Sequence, residues 1–258
     1  MGDIQLAKRL LATHLFENIS LLKMLETYGD KLAVWLIRRE ERWGVLIVLP
    51  AKISAFDHMS YPEAESVIFV SGSDLDLIRR LVEELPRDKP LVFKVQRAEY
   101  KTILESQFPL VRKKAFYTFT CEHLLEIPHQ GNVAVHDTID DHVLPLWMEN
   151  GYSLREIQNY FAKGAKAYAL YCHGSPISTC LAFMNYRNIW EVGAVHTIAE
   201  YRRKGYAKIV VSAAIDDLLR RGCLPRYQVE ETNTNSIRLA ESLGLKKVVT
   251  LEHLYFEG

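Results

Sequence analysis

Cysteine is scarce in this 258-residue sequence, and charge of neither sign is in excess. The four cysteines, Cys121, Cys172, Cys180 and Cys223, are widely spaced and form no CxxC pair. Isolated cysteines are typical of reduced thiols in a cytosolic protein, and we expect neither disulfides nor a bound metal. Lys and Arg together number 32, as do Asp and Glu. A general nucleic-acid binder usually carries a basic excess, so this balance argues against one.

Long apolar runs are also missing. No window of eighteen residues is apolar throughout, so we expect no membrane-spanning helix. The N-terminus has neither a long apolar core nor a small-residue cleavage site, which argues against a signal peptide and favours a cytoplasmic protein. The apolar fraction is nevertheless 48%, which is enough to form a core. The length fits one large domain or two small ones.

Hydrophobic periodicity divides the chain into two halves that each mix strands and helices. Residues 125–258 follow residues 1–124 through a polar segment that contains Pro128 and Gly131. The segments "LVFKVQRAEYKTILESQF" and "YQVEETNTNSIRLAESLG" both predict a strand, a short break and a helix, followed by another strand. We interpret this similarity as a distant internal duplication, although strand–helix–strand units are common in α/β proteins.

The sequence "EYRRKGYAK", from Glu200 to Lys208, places four cations around one glycine, between a predicted strand and a predicted long helix. The start of a helix has unpaired backbone N–H groups and a partial positive charge, and glycine lets an anion approach the backbone closely. These residues therefore suit a phosphate group, and they suit a solvated helix start equally well. Neither the Walker pattern nor the glycine pattern of dinucleotide sites is present.

Three motifs together resemble the GNAT superfamily of acyl-CoA N-acyltransferases. "RRKGYA", Arg202 to Ala207, is similar to the family's pyrophosphate loop, written Arg/Gln-x-x-Gly-x-Gly/Ala. "VHT" ends the preceding strand, and "NTNSIRLAESLGL" follows in the position of the family's second motif. The order of strands and helices over residues 125–258 is also that of the family. The sequence is most similar to the glycine N-acyltransferase-like and FR47-like branch, and zwittermicin-resistance-type acetyltransferases look similar as well.

This resemblance implies an α+β fold of two tandem acyl-CoA N-acyltransferase-like halves, each a mostly antiparallel mixed sheet flanked by helices. Residues 1–124 would form a degenerate N-terminal domain, and residues 125–258 the catalytic domain. The first half has no similar glycine loop, so we expect it to bind no coenzyme. It would instead shape the acceptor pocket or the interface between the halves.

The resemblance also implies acetyl-CoA as the co-substrate. Backbone N–H groups from Arg203 to Ala207 would hold its pyrophosphate, and the neighbouring cations would add positive charge. Backbone atoms of Val195 and Thr197 would pair with the pantetheine arm like an added strand. Asn233 would bond pantetheine, cap a helix, or do both. The predicted cofactor-binding residues are Val195, His196, Thr197, Arg202, Arg203, Lys204, Gly205, Tyr206, Ala207, Asn233 and Ser236.

Amine acylation needs a base, since most amines are protonated near neutral pH. Glu191 is the first choice, because the glycine N-acyltransferase branch has a glutamate in a similar "EVG" context; the other interpretation is a surface glutamate or the partner of a cation. His196 is the second choice, although a histidine on a sheet is more often packed or paired. Many members of the family have a Tyr seven residues after the motif Asn, where it acts as general acid for the leaving thiolate. In this sequence that position is Ala240. Either Tyr206, Tyr227 or another group protonates the leaving thiolate, or no acid is required.

We therefore predict transfer of an acyl group, expected to be acetyl, from acyl-CoA to a primary amine of a small molecule or amino acid by direct attack. The alternative is a non-catalytic acyl-CoA-binding sensor or scaffold. Ala240 supports this alternative, because the usual proton-transferring Tyr is missing at that position. A nucleic-acid binder using Arg202 to Lys208 is disfavoured by the neutral net charge. The expected partners are the amine acceptor and, as an open possibility, a second copy in a homodimer, with no nucleic acid and no membrane.

Overall fold

The computed structural model describes residues 2–125 and 132–258, which form two compact units. Unit 1 comprises Met1–Tyr117 together with Val248–Gly258, and unit 2 comprises Thr118–Lys247. The end of the chain therefore groups with unit 1, whereas the sequence-based boundaries assigned residues 125–258 to one domain. Pro128 and Gly131, which marked the predicted linker, lie outside the described residues.

The helices and strands follow one another along the chain in this order. The first part contains α1 (Gly2–Leu11), α2 (Leu15–Tyr28), β1 (Ala33–Arg39), β2 (Arg42–Pro50), α3 (Ala55–Ser60), β3 (Ser66–Gly72), α4 (Leu75–Glu83), β4 (Leu91–Val95), α5 (Ala98–Glu105) and β5 (Val111–Thr120). The second part contains β6 (Ala134–His136), α6 (Leu144–Glu149), α7 (Leu154–Ala162), β7 (Lys166–Cys172), β8 (Ser175–Tyr186), β9 (Ile189–Thr197), α8 (Tyr206–Arg220), β10 (Leu224–Glu230), α9 (Thr234–Ser242) and β11 (Lys246–Phe256).

The sheet of unit 1 has the strand order β1-β2-β3-β4-β11-β5. β3 and β4 pair in parallel, whereas β1 with β2, β2 with β3 and β4 with β11 pair antiparallel. The two parallel strands are buried along almost their whole length. Burial on both faces explains why "SVIFVSG" and "LVFKV" are continuous apolar runs rather than alternating ones. α4 connects them and begins after Asp74, whose carboxylate accepts the N–H groups of Asp76 and Leu77.

A fully buried tyrosine ties the end of β3 to α5. The Tyr100 hydroxyl accepts the Gly72 N–H at 3.1 Å and donates to the Gly72 carbonyl at 2.9 Å. Gly72 has no room for a side chain, since an added Cβ would lie 2.6 Å from the Trp43 carbonyl oxygen. Close approach of two backbone segments therefore requires glycine at this position.

Unit 1 also buries two polar pairs. Lys94 Nζ lies 2.6 Å from Asp57 Oδ1, with side chains 9% and 1% exposed. Tyr61 Oη lies 2.8 Å from Nδ1 of His253, a residue that is 2% exposed. Burial, reinforced by the charges of Lys94 and Lys114, lowers the pKa of His253 to about 2. The imidazole is therefore neutral in the folded protein at any pH near neutrality.

The sheet of unit 2 has the strand order β10-β9-β8-β7-β6, in which β10 and β9 are parallel and the other neighbours antiparallel. Helices cover both faces. On β7, Ala167 packs with Trp147 of α6 and Ile157 of α7. The next residue, Tyr168, points the other way, and its hydroxyl donates to Asp217 of α8 at 2.6 Å. α6 and α7 thus cover one face and α8 the other.

The two units contain the same succession of elements. β3, α4, β4 and α5 in unit 1 correspond to β9, α8, β10 and α9 in unit 2, and in both units the two strands are parallel neighbours. This repeat agrees with the predicted internal duplication. The predicted α+β class, with mostly antiparallel sheets flanked by helices, is confirmed. In the described part of the chain, no helix combines the length and the apolar character needed to cross a bilayer.

Candidate active site

The parallel strands β9 and β10 of unit 2 run together only at their beginnings. They pair at Leu224 with Ile189, Pro225 with Trp190 and Arg226 with Glu191. Both strands continue beyond these pairs, to Thr197 on β9 and to Glu230 on β10. The backbone edges of the two strand ends are therefore exposed to the space between them. Such edges are able to accept an extended ligand as an added strand.

A β-bulge accompanies this separation. Thr179 of β8 pairs with His196 and Leu181 with Gly193, so that Cys180 alone faces two residues of β9, Ala194 and Val195. Ala194 has φ +51, a left-handed conformation that costs a non-glycine residue about 1–2 kcal/mol. Bulges of this kind bend a strand and redirect the side chains that follow.

The bulge changes which side chains of β9 share a face. Glu191 and His196 are an odd number of positions apart, which puts them on opposite faces of a regular strand. In the structure, Glu191 pairs with Phe183 of β8 and His196 pairs with Thr179 of the same strand. Phe183 and Thr179 are an even number of positions apart and therefore share a face of β8. The extra residue of the bulge thus brings Glu191 and His196 to the same side.

The loop from Arg202 to Gly205 and the first turn of α8 line the same space. Arg203 has φ +62 and Gly205, which directly precedes α8, has φ +83. The first backbone bond of α8 runs from the Ile209 N–H to the Gly205 carbonyl at 3.2 Å. The N–H groups of the first turn therefore lack a helical partner, and consecutive left-handed and helical residues form a concave anion site. A Cβ added at Gly205 would meet no atom within 4 Å, so the space beside it is open.

These features surround one cleft of about 850 Å³ in unit 2. Every predicted cofactor-binding residue except Lys204 lines it: Val195, His196, Thr197, Arg202, Arg203, Gly205, Tyr206, Ala207, Asn233 and Ser236. The Lys204 ammonium instead lies over the Tyr201 ring, 5.1 Å from its centroid. The sequence did not indicate several further lining residues, among them Glu149, Asn150 and Arg238.

The cations of the cleft lie in the loop, in the first turn of α8 and on α9. Arg202 Nε donates to the Thr197 carbonyl at 2.8 Å, and Lys208 Nζ donates to the Ser242 carbonyl at 2.8 Å. Arg203 and Arg238 form no ion pair with a carboxylate of the described residues. Four cations against the single carboxylate of Glu149 leave this end of the cleft positive, which favours a phosphate-bearing ligand.

Asn233 caps α9, as the sequence suggested. Its Oδ1 accepts the Ser236 N–H at 3.1 Å. Ser236 Oγ in turn lies 3.0 Å from the hydroxyl of Tyr227 on β10. Tyr227 is 3% exposed, and burial raises its pKa to about 12. The cap leaves the amide nitrogen of Asn233 available to a ligand in the cleft.

The carboxylate of Glu191 is already bound by protein groups. It forms a hydrogen-bonded ion pair with Arg226 of β10 and accepts a hydrogen bond from Asn185 Nδ2 at 2.6 Å. The side chains of Arg226 and Glu191 are 5% and 16% exposed, and Glu191 is not among the residues that line the cleft. The partner of a cation was the alternative interpretation of this residue. Its role as catalytic base stays a prediction.

His196 does line the cleft, and two residues at the end of α6 hold its ring. Nδ1 lies 3.3 Å from Asn150 Oδ1, and Nε2 lies 3.4 Å from Glu149 Oε2. Burial is the main cause that lowers the pKa of His196; Glu149 opposes the shift and Arg202 adds to it. The sequence contained no signal for Glu149 and Asn150, because they lie more than forty positions from His196.

The other proposed proton donors have different surroundings. Ala240, where the family's usual Tyr was expected, is 0% exposed in the packing of α9. Tyr206 lines the cleft at the start of α8. Tyr152, which the sequence did not single out, has its hydroxyl beside Gly193 of β9, and burial raises its pKa to about 12. Residues 2–125 and 132–258 contain no group of His, Cys, Asp and Glu suited to hold a metal ion.

Solved structures of GNAT proteins share this fold. The tandem GNAT protein from the clavulanic acid biosynthesis pathway has a TM-score of 0.58 and 14% identity, over 99% of this chain and 95% of that one. A GNAT acetyltransferase from Colwellia psychrerythraea has a TM-score of 0.57 and 9% identity, over 94% and 97%. A GCN5-related N-acetyltransferase from Kribbella flavida has a TM-score of 0.53 and 14% identity, over 98% and 96%. At these identities the likeness establishes the fold alone.

Residues 146–253 match the family model of GNAT acetyltransferases. This segment contains β9, α8, β10 and α9, and with them every residue that lines the cleft, from Glu149 to Ser242. The match to this family model thus concerns the part of the chain that forms the cleft. No curated protein sequence matches the chain.

Proposed function

We propose that unit 2 binds acetyl-CoA in the cleft between β9 and β10 and transfers the acetyl group to a primary amine of a small molecule or amino acid. One observation carries the proposal. The exposed strand edge and the anion-binding loop open into the same cleft, and both lie within the segment that matches the GNAT acetyltransferase family.

The loop suits the diphosphate of the coenzyme. Free N–H groups at the start of α8 and the left-handed residues before it provide donors that need no rearrangement. Arg203 and Arg238, which lack carboxylate partners among the described residues, would bind phosphate oxygens with their guanidinium groups. The open space beside Gly205 lets phosphate approach the backbone.

The exposed edge of β9 suits the pantetheine arm, whose amides would pair with Val195 and Thr197. The carbonyls of these residues already accept Asn150 Nδ2 at 3.0 Å and Arg202 Nε at 2.8 Å. A carbonyl oxygen has two lone pairs, so each is able to accept a second donor. Asn233, whose Oδ1 caps α9, would use its amide nitrogen toward the arm.

Acetyl-CoA supplies an activated thioester, so the protein must mainly orient the amine and remove a proton. The amine nitrogen attacks the carbonyl carbon, the C–N bond forms, the C–S bond breaks, and coenzyme A departs as a thiolate. A thiol has a pKa of about 8.5, which makes a positioned acid dispensable and makes Ala240 chemically tolerable. The resemblance to the glycine N-acyltransferase branch is the reason for considering Glu191 as the base, and the same resemblance favours an amino-acid acceptor.

A second candidate function is an acyl-CoA-binding sensor without turnover. Two observations favour it: Ala240 is buried where an acid was expected, and Arg226 occupies the carboxylate of Glu191. Titration calorimetry with acetyl-CoA, followed by measurement of thiol release across a panel of primary amines, separates the two functions. We expect binding and amine-dependent thiol release. Binding without turnover on any amine would favour the sensor, and no binding would refute both.

A further inference from the structure

We infer that His196, held in one tautomer by Asn150 and facing Glu149, is the group that accepts the proton of the attacking amine. This inference rests on the proposed function of the cleft. His196 was the second choice of base from the sequence, whereas Glu149 and Asn150 lie outside the loop and strand motifs, and the inference derives from three contacts that these two residues make.

The orientation of the Asn150 amide fixes which ring nitrogen carries the hydrogen. Its Nδ2 donates to the Val195 carbonyl at 3.0 Å, a contact that only an N–H group is able to make. Its Oδ1 therefore faces His196 Nδ1 at 3.3 Å, and an oxygen acceptor requires a donor opposite it. The hydrogen of the neutral imidazole is thus on Nδ1. Nε2 is left with a lone pair, which is what a base needs.

Glu149 stabilises the state that follows proton uptake. Its Oε2 lies 3.4 Å from Nε2, close enough for an ion pair once that nitrogen is protonated. Before protonation, Nε2 has no hydrogen to donate to the carboxylate, and the neutral ring offers no charge to attract it. The attraction therefore favours the imidazolium over the neutral ring, which is the change that the reaction requires.

The charged groups that face His196 come from two directions. Glu149, at the end of α6, raises the pKa of the imidazole, and Arg202, from the loop before α8, lowers it. Burial of the ring exceeds both effects and keeps the pKa below its ordinary value. The ring is therefore neutral near pH 7 and ready to accept a proton.

Glu191 has the opposite arrangement. Its carboxylate is engaged by Arg226 and Asn185, and the cleft lining includes His196 but not Glu191. A base must come within hydrogen-bond reach of the proton that it accepts. Geometry thus favours the histidine, with Glu191 and Arg226 fixing the two strands at the last pair before they separate.

The proton balance is complete within the proposed reaction. The amine nitrogen forms the C–N bond and gives one proton to His196 Nε2, while the C–S bond breaks and the electron pair leaves on sulfur. The imidazolium, stabilised by Glu149, then releases its proton to the thiolate or to water. Coenzyme A and the N-acetyl product depart, and His196 returns to the neutral tautomer with the hydrogen on Nδ1.

The test compares His196→Gln with Glu191→Gln, using an amine found active with the wild-type protein. We expect His196→Gln to lower kcat by about 100- to 10,000-fold, the usual contribution of a general base. The loss in kcat should exceed any loss of acetyl-CoA affinity measured by calorimetry, because the anion loop is unchanged. In Glu191→Gln, kcat/KM should still fall at low pH as it does in the wild-type protein; this fall is called the acid limb of the pH profile. Wild-type turnover in His196→Gln, or loss of that limb in Glu191→Gln, would overturn the inference.

Two further variants test the positioning residues with a readout that a structural role would not change. Glu149→Gln removes a charge that raises the pKa of His196, so the acid limb of kcat/KM should move to lower pH by up to about one unit. Asn150→Asp places a carboxylate at Nδ1, so the same limb should move to higher pH by about one unit or more. Shifts in the same direction, or no shift in either variant, would contradict the proposed arrangement.

The tautomer is measurable without any substrate. Nitrogen NMR of histidine-labelled protein at pH 7 should give His196 a protonated Nδ1 and an unprotonated Nε2, and the His196→Gln spectrum assigns the signals. A protonated Nε2 would overturn the inference. If the wild-type protein fails to bind acetyl-CoA, the proposed function falls, whereas retained binding with normal turnover in His196→Gln refutes only the role of the histidine.

Discussion

Replacement of Gly205 by Asp is the sharpest probe of the anion loop. Gly205 has φ +83, a conformation that Asn and Asp tolerate better than other non-glycine residues. An added Cβ meets no atom within 4 Å, so neither side chain collides with the protein. Gly205→Asn therefore provides a matched control that carries the same backbone cost and nearly the same shape. The two variants differ by one negative charge at the position where we place the diphosphate.

The magnitude follows from the charges. Two like unit charges about 5 Å apart repel by about 1 kcal/mol in bulk water and by about 3 kcal/mol at the effective dielectric of a protein surface. The Asp variant should therefore bind acetyl-CoA about 5- to 150-fold more weakly than the Asn variant. Added salt should reduce the difference, because the cleft is open to solvent and the repulsion is screened.

Stability should respond in the opposite direction. A carboxylate at the start of α8 interacts favourably with the helix dipole, by about 0.3–1 kcal/mol. We therefore expect the Asp variant to be at least as stable to urea as the Asn variant while binding more weakly by calorimetry. Equal dissociation constants for the two folded variants would refute the placement of the diphosphate. A difference that persists at high salt would show that a cause other than charge weakens binding.

Three further predictions concern other parts of the chain. Gly72→Ala should lower the free energy of unfolding by about 2–3 kcal/mol in urea titrations, because the new Cβ meets the Trp43 carbonyl and disturbs two hydrogen bonds to Tyr100; a loss below 0.5 kcal/mol would contradict the close approach. Asn233→Ala should lower the free energy of unfolding by about 1 kcal/mol, because the helix cap is lost, whereas Asn233→Ser should keep the cap. Both variants should weaken acetyl-CoA binding, and unchanged affinity by calorimetry in both would show that Asn233 does not bind the cofactor. The pKa of His253 is depressed to about 2 in the folded state and is about 6.5 in the unfolded state, so its contribution to stability is complete above pH 6.5 and is lost as the pH falls below it. Between pH 7 and pH 5 this loss amounts to about 2 kcal/mol. In urea titrations, the free energy of unfolding of the wild-type protein should therefore fall by about 2 kcal/mol more than that of His253→Gln, and equal losses in the two proteins would refute the prediction.

Sequence reasoning indicated many of the residues that line the cleft, because their signals are local. Glycine, flanking cations and the start of an amphipathic helix are neighbours in the chain from Arg202 to Lys208. The cap of α9 is equally local, since Asn233 bonds the N–H three residues later. Lys204 does not line the cleft, because its ammonium lies over the Tyr201 ring, and its role in cofactor binding stays a prediction.

The side-chain contacts that determine the chemistry of the cleft were harder to predict from the sequence. Glu149 and Asn150 meet His196 only through the fold, and no spacing rule connects positions so far apart. The ion pair of Glu191 depends on the parallel register that sets Arg226 beside it. A sequence pattern is able to nominate a carboxylate as a base, but it does not reveal whether a buried guanidinium already occupies that carboxylate.

The sequence by itself determined the class of fold, the loop that suits phosphate and the order of elements around it. Each of these follows from periodicity, capping residues or one glycine, all of which act over a few positions. Only the tertiary structure decided how the two strands separate and which side chains meet there. The bulge at Ala194 has no residue-level signal, since alanine rarely adopts φ +51, yet it places Glu191 and His196 on one side of β9. That arrangement exists because β8, β10 and the end of α6 constrain β9 together.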